Sequence, residues 1–371
     1  MTSTFNSWRS RAASFGLLAI FMIAISAYVT SANAQNQPRR ASNASQSAER
    51  PYATRPDAMR FADEMAERRG LDREWVRGAI GQAVFLRNVP RLMLPPPRGT
   101  AKNWRVYRSR FIDPVRIAAG ARFWERNRAT LARAQAQFGV PAEIIVGIIG
   151  VETIYGQNMG SFRVIDALTT LTFDFPPQHP RAEARQAFFQ SELEQFLSLC
   201  QRTGMDPMAP LGSYAGAMGM PQFMPSSWVK YAIDFDGDGR VDLWNSEADV
   251  IGSVANYFQG YGWQPGMPTH YPVRLAPDAD MDALLAPDIL PSFTPASFNA
   301  KGAILGADGM AHPGQLALIE LQNGDPSQPG NAPTYVAGTE NFYAITRYNW
   351  SSYYAMSVID LGREVAMARL R

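Results

Sequence analysis

An almost unbroken apolar run from position 141 to position 156 constrains the fold of this chain more than any other stretch. Pro141 suits the first position of a helix, where its missing N–H costs nothing, and Gly156 suits the stop. A helix that is apolar on all sides is typical of a protein core. The sequence therefore predicts a buried helix between these two residues, around which the other elements pack.

Glu152 interrupts this run near its end. A bare charge buried there would cost several kcal/mol or more, so the carboxyl must be paired, protonated or functional. Burial raises the pKa of a carboxyl, and a raised pKa suits a general acid near neutral pH. The alternative is a glutamate at a helix end that reaches solvent or pairs with an arginine such as Arg163. This helix by itself favours a solvated or ion-paired glutamate, but the motifs in the rest of the chain favour a functional carboxyl.

Residues 1–34 have the pattern of an export signal. A positively charged start and an apolar stretch precede a small-residue cleavage site that ends at Ala34. The alternative is an uncleaved anchor, but the apolar stretch is short for a membrane span of about 20 residues. We therefore expect a periplasmic protein without a stable membrane anchor after cleavage. Residues 35–54 are polar and unpatterned, which predicts a flexible linker before a catalytic region over 55–371.

The composition excludes several classes of protein. The single cysteine, Cys200, rules out a disulfide within the chain, so an exported protein of this kind needs a sizeable hydrophobic core. A formal net charge of +2 gives no reason to expect a nucleic acid partner. Three histidines and one cysteine argue against a zinc enzyme.

Periodicity predicts a mainly α fold with some β structure. Residues 55–156 are expected to be all helix and turn, including one helix over 113–138. Residues 264–340 are rich in Pro, Gly and Asp with short apolar runs typical of strands, which predicts a small β-containing lobe. A strand over 342–349 and a final amphipathic helix are expected to end the chain.

A glycine-rich stretch over 211–228 is a second candidate for function. Its glycines allow the backbone to approach another element or a ligand closely. Gln222 offers an amide that can both donate and accept hydrogen bonds. The alternative is a packing loop without a ligand, which this stretch by itself slightly favours.

Residues 234–245 follow the pattern of an EF-hand calcium loop, with Asp at positions 1, 3 and 5, Gly at 6 and an apolar residue at 8. The pattern departs at position 12, where Asn245 replaces the bidentate Glu, and Glu247 or Asp249 could close the site instead. Three carboxylates in five residues would repel each other without a cation, which predicts a structural Ca²⁺ or Na⁺; the alternative is an Asp/Gly turn. The expected ligands are Asp234, Asp236, Asp238, the backbone carbonyl of Arg240, and Asp249.

Five stretches together resemble the membrane-bound lytic murein transglycosylase B family, bacterial enzymes that cleave peptidoglycan glycan strands. They occur in the family's order and cover most of residues 55–371; they are 141–153, 212–219, 222–227, 251–258 and 342–349. The family often has a Tyr-Gly pair where this chain has Met220-Pro221. The lipid-attachment cysteine of the family is missing here, which implies a member without a lipid anchor.

The resemblance implies a lysozyme-like, mainly α core with an all-α lobe and a small β-lobe around a deep groove. It implies that Glu152 is the single catalytic acid and base, that the chemistry needs no cofactor, and that the Asp loop holds calcium. The residues that match sugar-binding positions of the family are Ser213, Met218, Gln222, Phe223, Tyr107, Tyr257, Tyr348, Asn349 and Tyr354. For each aromatic residue, the alternative is core packing.

The resemblance also implies a mechanism and partners. The glutamate protonates the bond between N-acetylmuramic acid (MurNAc) and N-acetylglucosamine (GlcNAc), and then takes a proton from the C6 hydroxyl as a 1,6-anhydro ring closes. The partners would be peptidoglycan strands, and family members can work with the cell-wall synthesis machinery. One alternative is a muramidase that adds water with a second carboxylate, for which Asp166 and Asp174 are candidates. The others are a non-catalytic peptidoglycan-binding protein and a calcium sensor.

Overall fold

The computed structural model describes residues 51–95 and 102–370. The expected export signal and nearly all of the expected linker lie outside these residues, so both stay predictions. Within the described ranges, no single helix combines the length and the apolar composition needed to cross a membrane. One pair of helices, Arg128–Phe138 and Ala142–Thr153, bent by 115°, passes that test on length and composition alone.

Helices dominate the described residues, as expected for a mainly α protein. After a short 3-10 helix at Tyr52–Thr54, the helices are α1 (Pro56–Arg69), α2 (Arg73–Gln82), α3 (Val89–Leu92), α4 (Trp104–Ser109), α5 (Pro114–Arg126), α6 (Arg128–Phe138), α7 (Ala142–Thr153), α8 (Val164–Phe173), α9 (Ala182–Thr203), α10 (Pro225–Tyr231), α11 (Glu247–Gly260), α12 (Met281–Leu285), α13 (Pro295–Ala300), α14 (Ala307–Met310), α15 (Glu340–Thr346) and α16 (Ser352–Ala368). The strands are β1 (Phe162–Arg163), β2 (Leu211–Gly212), β3 (His270–Leu275), β4 (Ala303–Leu305), β5 (Ala317–Leu321) and β6 (Thr334–Gly338).

Helix α7 is the predicted apolar helix, and it lies at the centre of the core. All of its residues except Glu143 are buried, and it packs against α5, α6, α11 and α16. Its ends differ from the prediction. Pro141 is the N-cap residue rather than the first helical residue, and the helix stops at Thr153, three positions before Gly156. It stops early because Ile154 takes a left-handed conformation (φ 53°), in which the N–H groups that follow bond back to the last turn.

Two other expectations about helices were wrong. The single helix predicted over 113–138 is divided into α5 and α6 at Asn127, whose side-chain amide donates to the carbonyl of Phe123. A side chain that bonds to the backbone in this way competes with helix continuation. The strand predicted over 342–349 is instead mostly helix α15, because Thr339 caps its first turn by accepting from two backbone N–H groups.

The β structure has two parts. A four-stranded antiparallel sheet with the order β4-β3-β6-β5 lies within residues 270–338. One side of it packs on a small cluster that includes Leu284 and Phe298, while Ile319 and Leu321 of β5 belong to the main core. Strands β1 and β2 form a separate two-stranded ribbon at the start of the glycine-rich stretch. A mainly helical chain with small sheets confirms the predicted fold class.

Helices α7 and α16 approach each other closely because glycines lie at their contact. A Cβ added at Gly362 of α16 would lie 2.1 Å from the carbonyl oxygen of Glu143, and one at Gly147 of α7 would lie 2.3 Å from the carbonyl oxygen of Val358. Real Cβ atoms do not approach an oxygen this closely, so any larger residue would force the helices apart. The distance between these helices therefore depends on the two glycines.

We predict that Gly362→Ala destabilises the protein by about 1–3 kcal/mol, because the added methyl group overpacks the contact between α7 and α16. The matched control is Gly78→Ala in the interior of α2, where a Cβ would meet nothing within 4 Å. That control should be neutral or up to about 1 kcal/mol more stable, since alanine is the better helix former. Urea unfolding followed by circular dichroism measures both, and equal midpoints for the two variants would contradict the prediction.

Candidate active site

Glu152 lies in the last turn of α7 and is only 4% exposed. Its Oε1 accepts a hydrogen bond of 2.5 Å from the hydroxyl of Tyr354, while its Oε2 is buried and has no hydrogen-bond partner among the described residues. Arg163 does not neutralise it, because the guanidinium of Arg163 pairs with Asp166. The interpretation of Glu152 as half of an ion pair with Arg163 is therefore wrong.

Burial raises the pKa of Glu152 from 4.5 to about 7, and the hydrogen bond from Tyr354 partly opposes that rise. Burial acts in this direction because removing water penalises the charged form, whereas a donor on the carboxylate favours it. The protonated and ionised forms are therefore both accessible near neutral pH. This is the property that a group needs if it is to give up a proton and later take one back.

Glu152 lines a cleft of about 400 Å³ whose other walls come from the glycine-rich stretch, α11 and the turn between α15 and α16. Among the residues that line it, Glu152 is the one carboxyl. The full lining is Glu152, Ala217, Gln222, Phe223, Met224, Ser227, Tyr257, Tyr348 and Asn349. The cleft therefore brings together Glu152 and five of the nine residues predicted to bind sugar.

Gln222 is fixed in the cleft wall by its own turn. Its backbone has a φ of 53°, and its side-chain Nε2 donates to the carbonyls of Gly219 (2.9 Å) and Met159 (3.1 Å). Backbone hydrogen bonds between Met218 and Phe223 close the base of this turn. Since both donors of the amide are used, the side-chain oxygen is the group left to accept from a ligand.

Three tyrosines stack beside Glu152. Tyr348 packs on Tyr354 with ring centres 6.4 Å apart and nearly parallel planes, and Tyr257 contacts Tyr348 at 4.7 Å. The hydroxyl of Tyr348 donates to the carbonyl of Pro221, and that of Tyr257 donates to the carbonyl of Arg347. These bonds tie the glycine-rich stretch and α11 to the residues that precede α16. The tyrosines therefore fix the shape of the cleft.

Four of the nine predicted sugar-binding residues are not among those that line this cleft: Tyr354, which donates to Glu152, and Met218, Ser213 and Tyr107. The side chain of Met218 is fully buried. The hydroxyl of Ser213 accepts from the backbone N–H groups of Ala215 (3.3 Å) and Ala217 (3.0 Å). Tyr107, on α4, lies close enough for the charge of Glu152 to raise its pKa, although burial raises it more. A sugar-binding role for these residues stays a prediction.

Sequence reasoning singled out the stretch that contains Met224 and Ser227 but did not name these two residues, which form one wall at the start of α10. Glu192 of α9 holds this wall in place. Its two carboxylate oxygens accept from the hydroxyl (2.6 Å) and the backbone N–H (2.9 Å) of Ser226. Burial raises the pKa of Glu192 to about 6. The sequence signal for the wall was Pro225, which suits a helix start, but no pattern could have paired it with an acid 34 positions away.

The predicted metal loop brings together three of its four acids. Carboxylate oxygens of Asp234, Asp236 and Asp249 lie within 4.8 Å of one another, and Asp249 is buried. Asp238 is not part of this group, and its carboxylate accepts from the backbone N–H and the side chain of Arg240. Three hard oxygen ligands on a tight turn fit a calcium or sodium ion. Without a cation, their mutual repulsion would oppose this arrangement.

We predict that Tyr354→Phe raises the pKa of Glu152 above the value of about 7, because it removes the donor that stabilises the carboxylate. The measurement is an NMR titration of the ¹³C-labelled glutamate carboxyl, identified by its absence in Glu152→Gln. Tyr343→Phe, which also removes a hydroxyl but lies outside the cleft, should leave the titration midpoint unchanged. A midpoint for Tyr354→Phe at or below that of the wild type would contradict the argument.

The sequence of this chain is similar to those of known proteins. The family model described as Transglycosylase SLT domain matches residues 53–363. Membrane-bound lytic murein transglycosylase B of Escherichia coli (strain K12) is 40% identical over 336 residues, which are 86% of this chain and 85% of that protein.

Solved structures of similar proteins agree with the family match. The Escherichia coli lytic transglycosylase SLT35 in complex with bulgecin A is 40% identical, with a TM-score of 0.73 over 86% of this chain and 96% of that chain. Its complex with calcium gives 39% identity, a TM-score of 0.72 and the same coverage. Soluble lytic transglycosylase SltB1 from Pseudomonas aeruginosa is 39% identical, with a TM-score of 0.74 over 85% of this chain and all of the other. Since the family model and these relatives cover most of its length, the chain belongs to the transglycosylase SLT domain family.

Proposed function

We propose that Glu152 is the single catalytic acid and base of this protein, which is a peptidoglycan lytic transglycosylase. The observation that carries the proposal is a buried glutamate with a pKa of about 7 that is the one carboxyl among the residues lining its cleft. Similarity to lytic murein transglycosylase B supplies the class of substrate. The bond cleaved is the β-1,4 bond between MurNAc and GlcNAc.

In the first step, protonated Glu152 gives its proton to the glycosidic oxygen, and the bond from that oxygen to C1 of MurNAc breaks. Positive charge develops at C1, and the acetamido oxygen of the same sugar stabilises it. Glu152 is left as a carboxylate. The hydrogen bond from Tyr354 then strengthens, since a donor to a charged oxygen is worth more than one to a neutral oxygen. Tyr354 therefore lowers the cost of forming a buried charge.

In the second step, the Glu152 carboxylate takes the proton from the C6 hydroxyl of MurNAc, and O6 bonds to C1. The 1,6-anhydro ring closes, no water is consumed, and Glu152 returns to its protonated form. Attack from within the same sugar provides a high effective concentration of the nucleophile. A second carboxylate to activate water is therefore unnecessary.

The positions of the two candidate second carboxylates disfavour the muramidase alternative. Asp166 accepts from the backbone N–H of Val84 and pairs with Arg163. Asp174 accepts from the hydroxyl of Tyr52 and pairs with Arg55. Both acids are held by other partners, and neither lines the cleft that contains Glu152. A hydrolase that uses a pair of acids needs them on both sides of the cleaved bond.

We also propose that the loop at 234–249 binds a structural calcium ion through Asp234, Asp236 and Asp249, since a similar Escherichia coli protein was solved in complex with calcium. The ion would hold the loop against the start of α11 and takes no part in the chemistry. We further propose that the protein works in the periplasm, where its substrate lies, after the loss of residues 1–34.

We predict that the wild type, incubated with purified sacculi, releases muropeptides with 1,6-anhydro ends and that Glu152→Gln releases none. The protein is taken from the periplasmic fraction of a bacterial host, where its mass should correspond to residues 35–371. Mass spectrometry of the fragments decides between mechanisms, because a reducing end is one water heavier than an anhydro end. Reducing ends would assign the protein to the hydrolases. A Glu152→Gln variant as active as the wild type would remove Glu152 from the mechanism.

We predict that Ca²⁺ raises the melting temperature of the wild type, because binding to the folded state alone stabilises it by about 2.7 kcal/mol at a concentration 100 times the Kd. Asp234→Asn and Asp236→Asn should lose most of this shift, whereas Asp282→Asn, an exposed control on α12, should keep it. Differential scanning calorimetry in CaCl₂ and in NaCl of equal ionic strength separates the two ions. Equal shifts in all four proteins would contradict the assigned site.

A further inference from the structure

A second cleft, which the mechanism above does not use, lies between the β-lobe and the start of α16. Its empty volume, which includes space open to solvent, is about 560 Å³. Its walls come from β5, the turn after α12 and the first residues of α16. Three charged residues line it, namely Lys102, Asp288 and Glu320.

Two of these charges lie on exposed residues and have no polar partner among the residues that the structure describes. Within the described ranges, neither the ammonium of Lys102 nor the carboxylate of Asp288 forms an ion pair or a hydrogen bond, so these opposite charges share a cleft without pairing with each other. The Lys102 ammonium lies 6.0 Å from the centre of the Tyr353 ring. Glu320 differs, because its oxygens accept from Tyr335 (2.9 Å) and Gln322 (2.8 Å).

The turn that carries Asp288 is fixed in an uncommon conformation. Asp288 has a φ of 55°, in the left-handed region that aspartate tolerates better than most residues. Its N–H bonds to the carbonyl of Leu285, and the next residue, Ile289, is buried in the main core. The backbone at Asp288 is therefore fixed by the packing of the next residue, and its exposed carboxylate starts from the rim of the cleft.

The second cleft and the Glu152 cleft lie on either side of the first turn of α16. Tyr354 bonds to Glu152 in one cleft, while Tyr353, the preceding residue, lines the other. The ring of Tyr353 also contacts Tyr107 edge to face at 5.6 Å, and the charge of Glu152 reaches Tyr107. A substrate bound at Glu152 therefore has the second cleft close by.

Given the proposed function, on which this inference rests, we propose that the second cleft binds the peptide stem of the MurNAc whose bond is cleaved. In a stem-bearing strand the lactyl carboxyl of MurNAc is held in an amide bond to the stem, so the sugars themselves carry no charge, whereas the stem carries carboxylates and, at a diamino acid, an ammonium group. Because the stem is attached to the sugar that reacts, it must lie near Glu152 at every cleavage. Lys102 pairs with a stem carboxylate, and Asp288 pairs with the stem ammonium group.

The test measures binding by calorimetry in the Glu152→Gln background, which leaves the ligand uncut. The ligands are a GlcNAc–MurNAc disaccharide with a tetrapeptide stem, the same disaccharide with its lactyl carboxyl capped as a simple amide in place of the stem, and the free tetrapeptide. We expect the stem to tighten binding. Lys102→Met and Asp288→Asn should each weaken binding of the stem-bearing ligand by about tenfold, and binding of the stem-free disaccharide by less than twofold. Asn is chosen because it also tolerates a positive φ.

The matched controls are Lys301→Met and Asp278→Asn, which make the same charge changes at positions on the β-lobe outside this cleft. Each control should bind all three ligands with the affinity of the Glu152→Gln protein. Equal affinity with and without the stem would overturn the proposal, as would variants that weaken both disaccharides alike. Binding of the free tetrapeptide that depends on Lys102 and Asp288 would support it.

A separate measurement tests the proposed function, namely whether the protein with Glu152 intact cleaves strands that carry no stem. If that protein cut no strands, but the Glu152→Gln background still bound the stem through Lys102 and Asp288, the stem site would stand and the catalytic proposal would fall.

Discussion

The hydrogen bond from Tyr354 to buried Glu152 is the contact on which the rest of the site depends. The two residues are 202 positions apart, and they meet only because α16 packs directly on α7. Glycines at that contact, Gly147 and Gly362, set how closely the helices approach. The central helix pair thus positions the acid and its donor at the same time, and the tyrosine stack extends that order into the wall of the cleft.

Burial and hydrogen bonding act on Glu152 in opposite directions, and the balance suits a group that must serve as both acid and base. Burial alone would keep the carboxyl protonated, so that it would not readily give up its proton. The donor from Tyr354 stabilises the carboxylate, which must persist only until the C6 hydroxyl is deprotonated. A rise in pKa from 4.5 to about 7 corresponds to about 3 kcal/mol against the charged form. As the pH rises from 4.5 to about 7, Glu152 ionises in the unfolded chain but stays protonated in the folded one. The folded state therefore loses stability over this interval, and the loss persists at higher pH.

Much of the fold could be predicted because its signals are local. An almost unbroken apolar run identified α7, short apolar runs identified the β-lobe, and the spacing of aspartates identified the loop at 234–249. The errors came where a single side chain or backbone conformation overrides periodicity. Asn127 divides a predicted helix, Thr339 starts an unpredicted one, and Ile154 ends α7 early.

The candidate site could be predicted only in part. Glu152 was recognisable as an acid in an apolar run, and resemblance to a family supplied the groove residues. The sequence could not indicate that Met218 is buried, that Asp238 pairs with Arg240, or that Glu192 holds the start of α10. Each of these depends on the direction in which a side chain points, and for Met218 and Glu192 that direction is set by elements far apart in the chain.

By itself the sequence determined that an acid would lie within an apolar helix, that aspartates would cluster in a loop and that no disulfide would be available. These follow from residue type and from spacing along one element. Only the tertiary structure decided that Glu152 would receive a donor from Tyr354, that none of the other described carboxyl groups would line its cleft, and that Lys102 and Asp288 would share a second cleft. The reason is that pKa values, clefts and charge pairs depend on distances between groups far apart in the chain, and packing alone sets those distances.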